Sequence, residues 1–267
     1  MPETAVLPQT AAEREHDRRA LQFVMLAGCT LLENGAEVAR VHETMTIMAA
    51  GFGIAGYNDY VLTNGIFASV SGETHSEVRS VREHTVHLGR VEAVNEISRE
   101  IEAGRLTLEQ AEERLAQARR LPPPSARAQI LASACGSFCF TLLFGGSFAE
   151  AAVSLAAGAL LGAYLLLCER HGVAAMVRRL SGAALITVLC LAGAALIPGV
   201  GVSAAVIGTL MVLTPGVAIT MGIRDFLCAD YLSGTIRLID AFLIAGSIAC
   251  GTGLVLWACS WLTGVTL

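Results

Sequence analysis

From residue 17 to residue 53, apolar side chains at Val24, Ala27, Leu31, Val38, Val41, Met45 and Met48 keep helical spacing. The pattern predicts one long helix, whose second face carries Glu33, Glu37, Arg40 and Thr44. Glu37 and Arg40 stand three apart, a spacing that lets two side chains meet on a helix. The pattern then changes period. "YNDYVLTNGIFASVSG" (57–72) holds two β-prone runs on either side of Asn64-Gly65, a hairpin signal that predicts a type I′ turn. A third short strand is expected at 77–82. Two further helices are expected at 87–103, with Leu88, Val91, Val94 and Ile97 on one face, and at 107–119.

At "RRLPPPSAR" (119–127) the character of the chain changes. Three consecutive prolines cannot continue a helix and make a short stiff spacer, so a domain boundary is placed here. Five apolar runs follow, at about 128–146, 149–168, 178–197, 202–223 and 238–260. Each is near the ~20 residues a helix needs to cross the hydrocarbon. Arg170, Arg178 and Arg179 lie between the second and third runs, and Arg224 and Arg237 between the fourth and fifth. The "GGSF" and "PGVG" turns carry no arginine. Arginine in alternate loops assigns those loops to the cytoplasm, together with the N-terminal domain, and puts the C-terminus outside. The expected fold class is therefore a polytopic α-helical membrane protein with five transmembrane helices in residues 126–267. A cytosolic α+β domain precedes them in residues 1–125. Gly158 with Gly162, and Ala245 with Ala249, have the spacing that lets membrane helices approach closely.

Composition agrees with a membrane class: 54% hydrophobic, 15% charged, mean hydropathy +0.60. All 18 basic residues are arginine and form no stripe or patch, which argues against a nucleic-acid partner. The eight cysteines (29, 135, 139, 168, 190, 228, 250 and 259) lie mostly in apolar runs without a C-x-x-C pair. They read as small buried hydrophobes rather than as disulfides or ligands. Glu83, His84 and His87 lack a second ligand pair, so no metal and no cofactor is expected. "RRALQFVMLAGC" (18–29) imitates a lipoprotein signal. Against that reading stand the acids Glu13, Glu15 and Asp17, the shortness of the apolar stretch, and a helical pattern that runs on past Cys29.

The stretch with most chemistry is "LTPGVAITMGIRDFLCADYLSGTIR" (213–237). Pro215 has no N–H, so carbonyls around residues 211–212 are expected to lose their partners. Gly216 lets a ligand approach the backbone. A new helix from about Val217 would offer its first amides to a carboxylate. Backbone freed in this way inside a bilayer is tolerated only against protein or a water-filled cavity, where secondary transporters bind substrate. Thr214, Pro215, Gly216 and Thr220 are thus candidates for the substrate path. Arg224 and Arg237 would supply positive potential at the cytosolic mouth for acidic or zwitterionic substrates. Asp225, Asp230 and Asp240 are candidates for proton coupling or for pairing with those arginines. Asp240 ranks first because it opens the fifth span, and ionisable groups within a membrane are expensive.

"LLENGAEVARVHETM" (31–45), "VLTNGIFASV" (61–70), "RVEAVNEISREIEAGRLTLEQAEERL" (90–115) and the 213–237 stretch resemble, in order, the threonine/serine exporter family of bacteria. The resemblance runs from about residue 20 to residue 260. It implies an inner-membrane secondary exporter of small polar metabolites, either threonine and serine or dicarboxylates such as succinate. It also implies that this chain is the larger subunit of a split exporter and works with a small five-span partner, with self-assembly as a further option. The cytosolic motif residues it points to are Gly35, Glu37, Arg40, Glu43 and Gly65. His42, Met221 and Ala229 depart from the family pattern, where Glu, Asn and Gly are common, and the departures bear on substrate identity. Two other readings are a membrane-tethered hydrolase and a non-transporting sensor or assembly subunit. Ser69, Ser71 and Ser76 near His75 are the only material for a hydrolase, without a nucleophile elbow or a P-loop.

Overall fold

The computed structural model describes residues 11–71, 76–81 and 85–263. It divides into two compact units, Met1–Pro123 with Met221–Ile236, and Pro124–Thr220 with Arg237–Leu267. In the first unit, α1 (Ala11–Glu33) and α2 (Val38–Gly51) stand where a single helix over 17–53 was expected. The break is at Gly35, whose φ of +88° suits glycine and ends α1. There the Gly35 N–H donates to the Leu32 carbonyl (3.2 Å) and the Ala36 N–H to that of Leu31 (3.0 Å). The apolar periodicity ran through the break because both helices face one core, in which Val24, Leu31, Val41, Met45 and Met48 are fully buried. Glu37 precedes the first turn of α2, so it does not share a helical face with Arg40. Arg40 instead pairs with Glu43 at 3.2 Å.

Three antiparallel strands follow in the order β1 (Tyr57–Leu62), β2 (Gly65–Val70) and β3 (Ser76–Ser80). The first turn is Thr63-Asn64, with Leu62 opposite Gly65, one residue earlier than the Asn64-Gly65 type I′ turn expected. Neither Thr63 nor Asn64 has a positive φ. Gly65 serves a different need, since a Cβ there would lie 3.0 Å from the Arg79 carbonyl on β3. Ile66, Ala68 and Val70 turn into the core beneath α1 and α2. His75, Glu83 and His84, and the expected strand ends at 72 and 82, lie outside the described residues. Helices α3 (Leu88–Glu102) and α4 (Leu108–Arg119) complete this core, α4 opened by a Thr107–Gln110 capping box. Cys29 lies inside α1 rather than at a chain end, and burial pushes its thiol up to about 11. The proline spacer is held at its start, where the Arg90 guanidinium donates to the Leu121 carbonyl at 2.8 Å.

Among the described residues of the membrane half, four helices are long and apolar enough to cross a bilayer. They are α5 (Ala126–Leu143), α6 (Phe148–Arg170), α7 (Ala175–Leu196) and α10 (Tyr231–Thr263). The run at 202–223, expected as a fifth continuous span, is not one helix. It is divided into α8 (Val202–Leu210) and α9 (Gly216–Leu227). Helix α10 has 33 residues, a length of about 50 Å. Its first turns run ahead of the expected start at 238, so Arg237, expected in the preceding loop, lies with Asp240 in one continuous helix.

Small residues set the packing of α5 on α6. A Cβ at Gly158 would come 2.8 Å from the Ser133 carbonyl, and one at Gly162 3.1 Å from the Ile130 Cα. The buried hydroxyls between them are satisfied locally: Ser133 donates to the Gly158 carbonyl (2.7 Å) and Thr141 to the Ser154 hydroxyl (2.8 Å). Membrane helices use such contacts as adhesive where no hydrophobic drive separates them from lipid. At the far end, Glu150 ties two turns together. Its carboxylate accepts the Ser147 N–H (2.6 Å) and the Gly201 N–H (2.7 Å).

Candidate functional site

The division between α8 and α9 has a definite backbone form. After Leu210 the chain tightens, with Val212, Leu213 and Thr214 donating to the carbonyls three residues back, those of Thr209, Leu210 and Met211. Pro215 then cannot donate, and the Gly216 N–H returns to the Thr214 carbonyl at 2.9 Å. The Met211 carbonyl keeps a partner. Among the described residues, it is the carbonyls of Val212 and Leu213 that accept no backbone N–H, one position later than expected. On the α9 side, the N–H groups of Val217 and Ala218 have no backbone acceptor among the described residues.

Val212, Leu213, Thr214 and Pro215 form one wall of a cavity of about 660 Å³ within the membrane unit. Its other walls come from α5 (Gln129 and Ser133), the C-terminal turns of α6 (Glu169) and the first turn of α7 (Arg178 and Arg179). Two arginines against one glutamate leave an excess of positive charge. The two arginines stand near the N-terminal end of α7, whose first turn carries no acid of its own against the positive end of the helix dipole. Both sources of positive potential therefore add. A volume of this size accommodates a small metabolite.

Of the residues assigned from the sequence to the substrate path or to coupling, Thr214 and Pro215 line this cavity. Gly216 is the first residue of α9, and the Thr220 hydroxyl folds back on the Gly216 and Val217 carbonyls at 3.1 Å. Asp225 is buried at 2% exposure. Asp230 accepts the Ser233 N–H at 3.2 Å and so caps the start of α10. Arg237 is half-buried and Asp240 exposed on α10, Asp240 near enough to Arg179 for their charges to interact. Arg178, Arg179, Glu169 and Gln129 were missing from that selection. Glu169, Arg178 and Arg179 read as loop charges and Gln129 as the start of the first apolar run, and only the packing of three helices gathers them.

In the first unit, Glu37 pairs with Arg224, its Oε1 2.8 Å from the arginine Nε. His42 Nδ1 is 2.5 Å from Asp59, whose side chain is 1% exposed. The Tyr57 hydroxyl donates to the same carboxylate at 3.2 Å, and burial together with Asp59 raises the Tyr57 pKa. Helix α9 ends as α1 does, with the Ala229 N–H on the Phe226 carbonyl and the Asp230 N–H on that of Asp225. Here the left-handed residue is Ala229 (φ +63°), the only non-glycine with positive φ among the described residues. A side chain in that region costs about 1–2 kcal/mol.

The family model described as "Putative threonine/serine exporter" matches residues 22–258. A "Probable threonine/serine exporter" of Mycobacterium tuberculosis is 23% identical over 241 residues, which are 88% of this chain and 45% of that protein. The chain thus spans about half the length of this curated relative. No solved structure matches it. The family model covers most of the sequence, with a small three-stranded domain ahead of several apolar helices, and this multi-pass membrane chain belongs to the threonine/serine exporter family.

Proposed function

We propose that the chain is the larger subunit of a split bacterial exporter and carries a small polar metabolite out through the cavity at the α8–α9 break. The observation that carries this reading is the wall itself: a helix interrupted at Thr214-Pro215 facing Arg178 and Arg179 across about 660 Å³. A substrate carboxylate sits between the two guanidinium groups, which bind carboxylates with directed, charge-assisted hydrogen bonds. Glu169 offers a partner for an ammonium group. That favours a threonine- or serine-like amino acid over a dicarboxylate such as succinate, which would meet a like charge there.

In this reading α8, the tightened turn and the start of α9 together supply the fifth crossing, residues 202–220 of the membrane unit coming near the ~20 residues a crossing needs. The arginines at the start of α7 face the cytoplasm by the positive-inside rule, so the cavity loads from inside. The N-terminal unit is then cytoplasmic, the C-terminus lies outside, and the membrane is the bacterial inner membrane. Because the curated relative is about twice as long, a small five-span subunit is proposed to supply the remainder.

The reading is tested by metabolite efflux from cells that make the chain with such a companion, loaded with threonine, serine or succinate. Threonine or serine export above the empty-vector level is expected. Glu169→Gln is expected to shift the ratio of succinate to threonine export upward by about tenfold, the value of one charged contact. Absence of export for all three metabolites, at normal membrane levels of both chains, contradicts the proposal.

A further inference from the structure

Helix α9 is a short rod between two backbone interruptions. On one side are the tightened turn and Pro215, and on the other the left-handed Ala229. Residues that absorb a change in φ and ψ at the ends of an otherwise rigid element are where hinges form. Between these points, Arg224 meets the N-terminal part of the chain, its Nε 2.8 Å from Glu37 Oε1.

Glu37 is well fixed for that task. It follows the Gly35 stop of α1 and lies between Ala36 and Val38, both buried at 6% and 5% exposure. It holds the N-cap position of α2 without making a side-chain capping bond, so its carboxylate is not committed to that helix end. The carboxylate is only 10% exposed, whereas Arg224 is 65% exposed. Glu37 Oε1 takes no aligned hydrogen bond, so the contact is a charge pairing that can part without breaking a directional bond. A rigid corner thus meets a hinged rod at a releasable ion pair.

We propose that Glu37 is a positioning residue for transport: its pairing with Arg224 sets the attitude of α9, and through that continuous helix the placement of Thr214 and Pro215. This rests on the reading of the break as the substrate path, and concerns how that path is opened and closed. Release of the pair frees α9 to turn about its two ends, and re-formation resets it.

The test reads the cavity wall directly, without substrate. Thr214→Cys is introduced into the full chain with its companion, and its alkylation by a small maleimide is followed at that residue by peptide mass spectrometry. Glu37→Arg, Arg224→Glu and the neutral Glu37→Gln are each expected to change the rate about threefold to fivefold, as loss of a partly exposed ion pair allows. The double swap Glu37→Arg/Arg224→Glu is expected to restore it to within about twofold, since the pair is re-formed with its charges exchanged. Unchanged alkylation in all three single variants overturns the proposal, as does a double swap that behaves like the sum of the singles. Because the readout needs no export, an alkylation response in a chain that exports nothing would support the latch while contradicting the transport reading.

Discussion

Replacing Arg178 and Arg179 together by glutamine is expected to lower export by about a hundredfold while leaving the protein in the membrane at normal levels. Each guanidinium lines the cavity from the first turn of α7 and is half-buried there. A hydrogen bond to a charged group contributes about 1.5–3 kcal/mol, so loss of two amounts to at least about two decades in affinity for a carboxylate. Stability should not suffer. The arginines stand at the positive end of the α7 dipole, where removing positive charge is neutral or favourable. The effect should therefore appear at low substrate first, with near-normal maximal rate at saturation. Efflux measured against internal threonine concentration checks this. Equal export at all concentrations would remove the arginines from the site.

The second large effect concerns the framework of the cavity. Gly208 on α8 faces α5 so closely that an added Cβ would lie 2.5 Å from the Thr141 backbone nitrogen and 2.6 Å from its Cα. Backbone cannot yield as a side-chain tip can. Gly208→Val is therefore expected to push α8 from α5 and to destabilise the protein by more than about 3 kcal/mol, the upper range for overpacking. In detergent this should appear as loss of the monodisperse species and of the thermal transition. Gly246→Ala on α10 is the matched control. Nothing lies within 4 Å of its Cβ position, and alanine in a helix gains up to about 1 kcal/mol over glycine. A Gly208→Val protein as stable as Gly246→Ala would contradict the packing described.

Much of this arrangement was legible in the residues, for identifiable reasons. Apolar runs mark membrane helices because lipid demands them all round, which is why α5, α6, α7 and α10 are close to where hydropathy put them. Pro215 was readable because proline removes a donor whatever surrounds it. Periodicity, by contrast, reports which face is buried and not whether the helix is continuous. The break at Gly35 was therefore invisible to it, since α1 and α2 share one core. For the same reason Glu37 was paired on paper with Arg40, three residues away, when its partner Arg224 is on another element altogether. The cavity charges were hidden by the opposite problem. Arg178 and Arg179 look like ordinary cytoplasmic anchors until α5, α6 and the end of α8 close around them.

The departures from the family pattern also acquire physical content. Ala229 holds φ at +63°, where glycine would sit without strain, so it strains the turn between α9 and α10, and it does not line the cavity. His42 reaches Asp59 in the first unit and does not enter the cavity either. On this geometry neither residue lines the proposed substrate cavity, whereas Glu169 does.

The central claim is that substrate occupies the cavity at the interrupted helix. The most direct measurement is protection of Thr214→Cys from alkylation by added threonine, with Leu254→Cys, exposed on α10 away from the cavity lining, as the control. The account predicts slowing at Thr214→Cys by millimolar threonine or serine, no change at Leu254→Cys, and loss of the protection in Arg178→Gln/Arg179→Gln. Alkylation of Thr214→Cys at the same rate with and without threonine, serine or succinate, in protein that still exports, would contradict it.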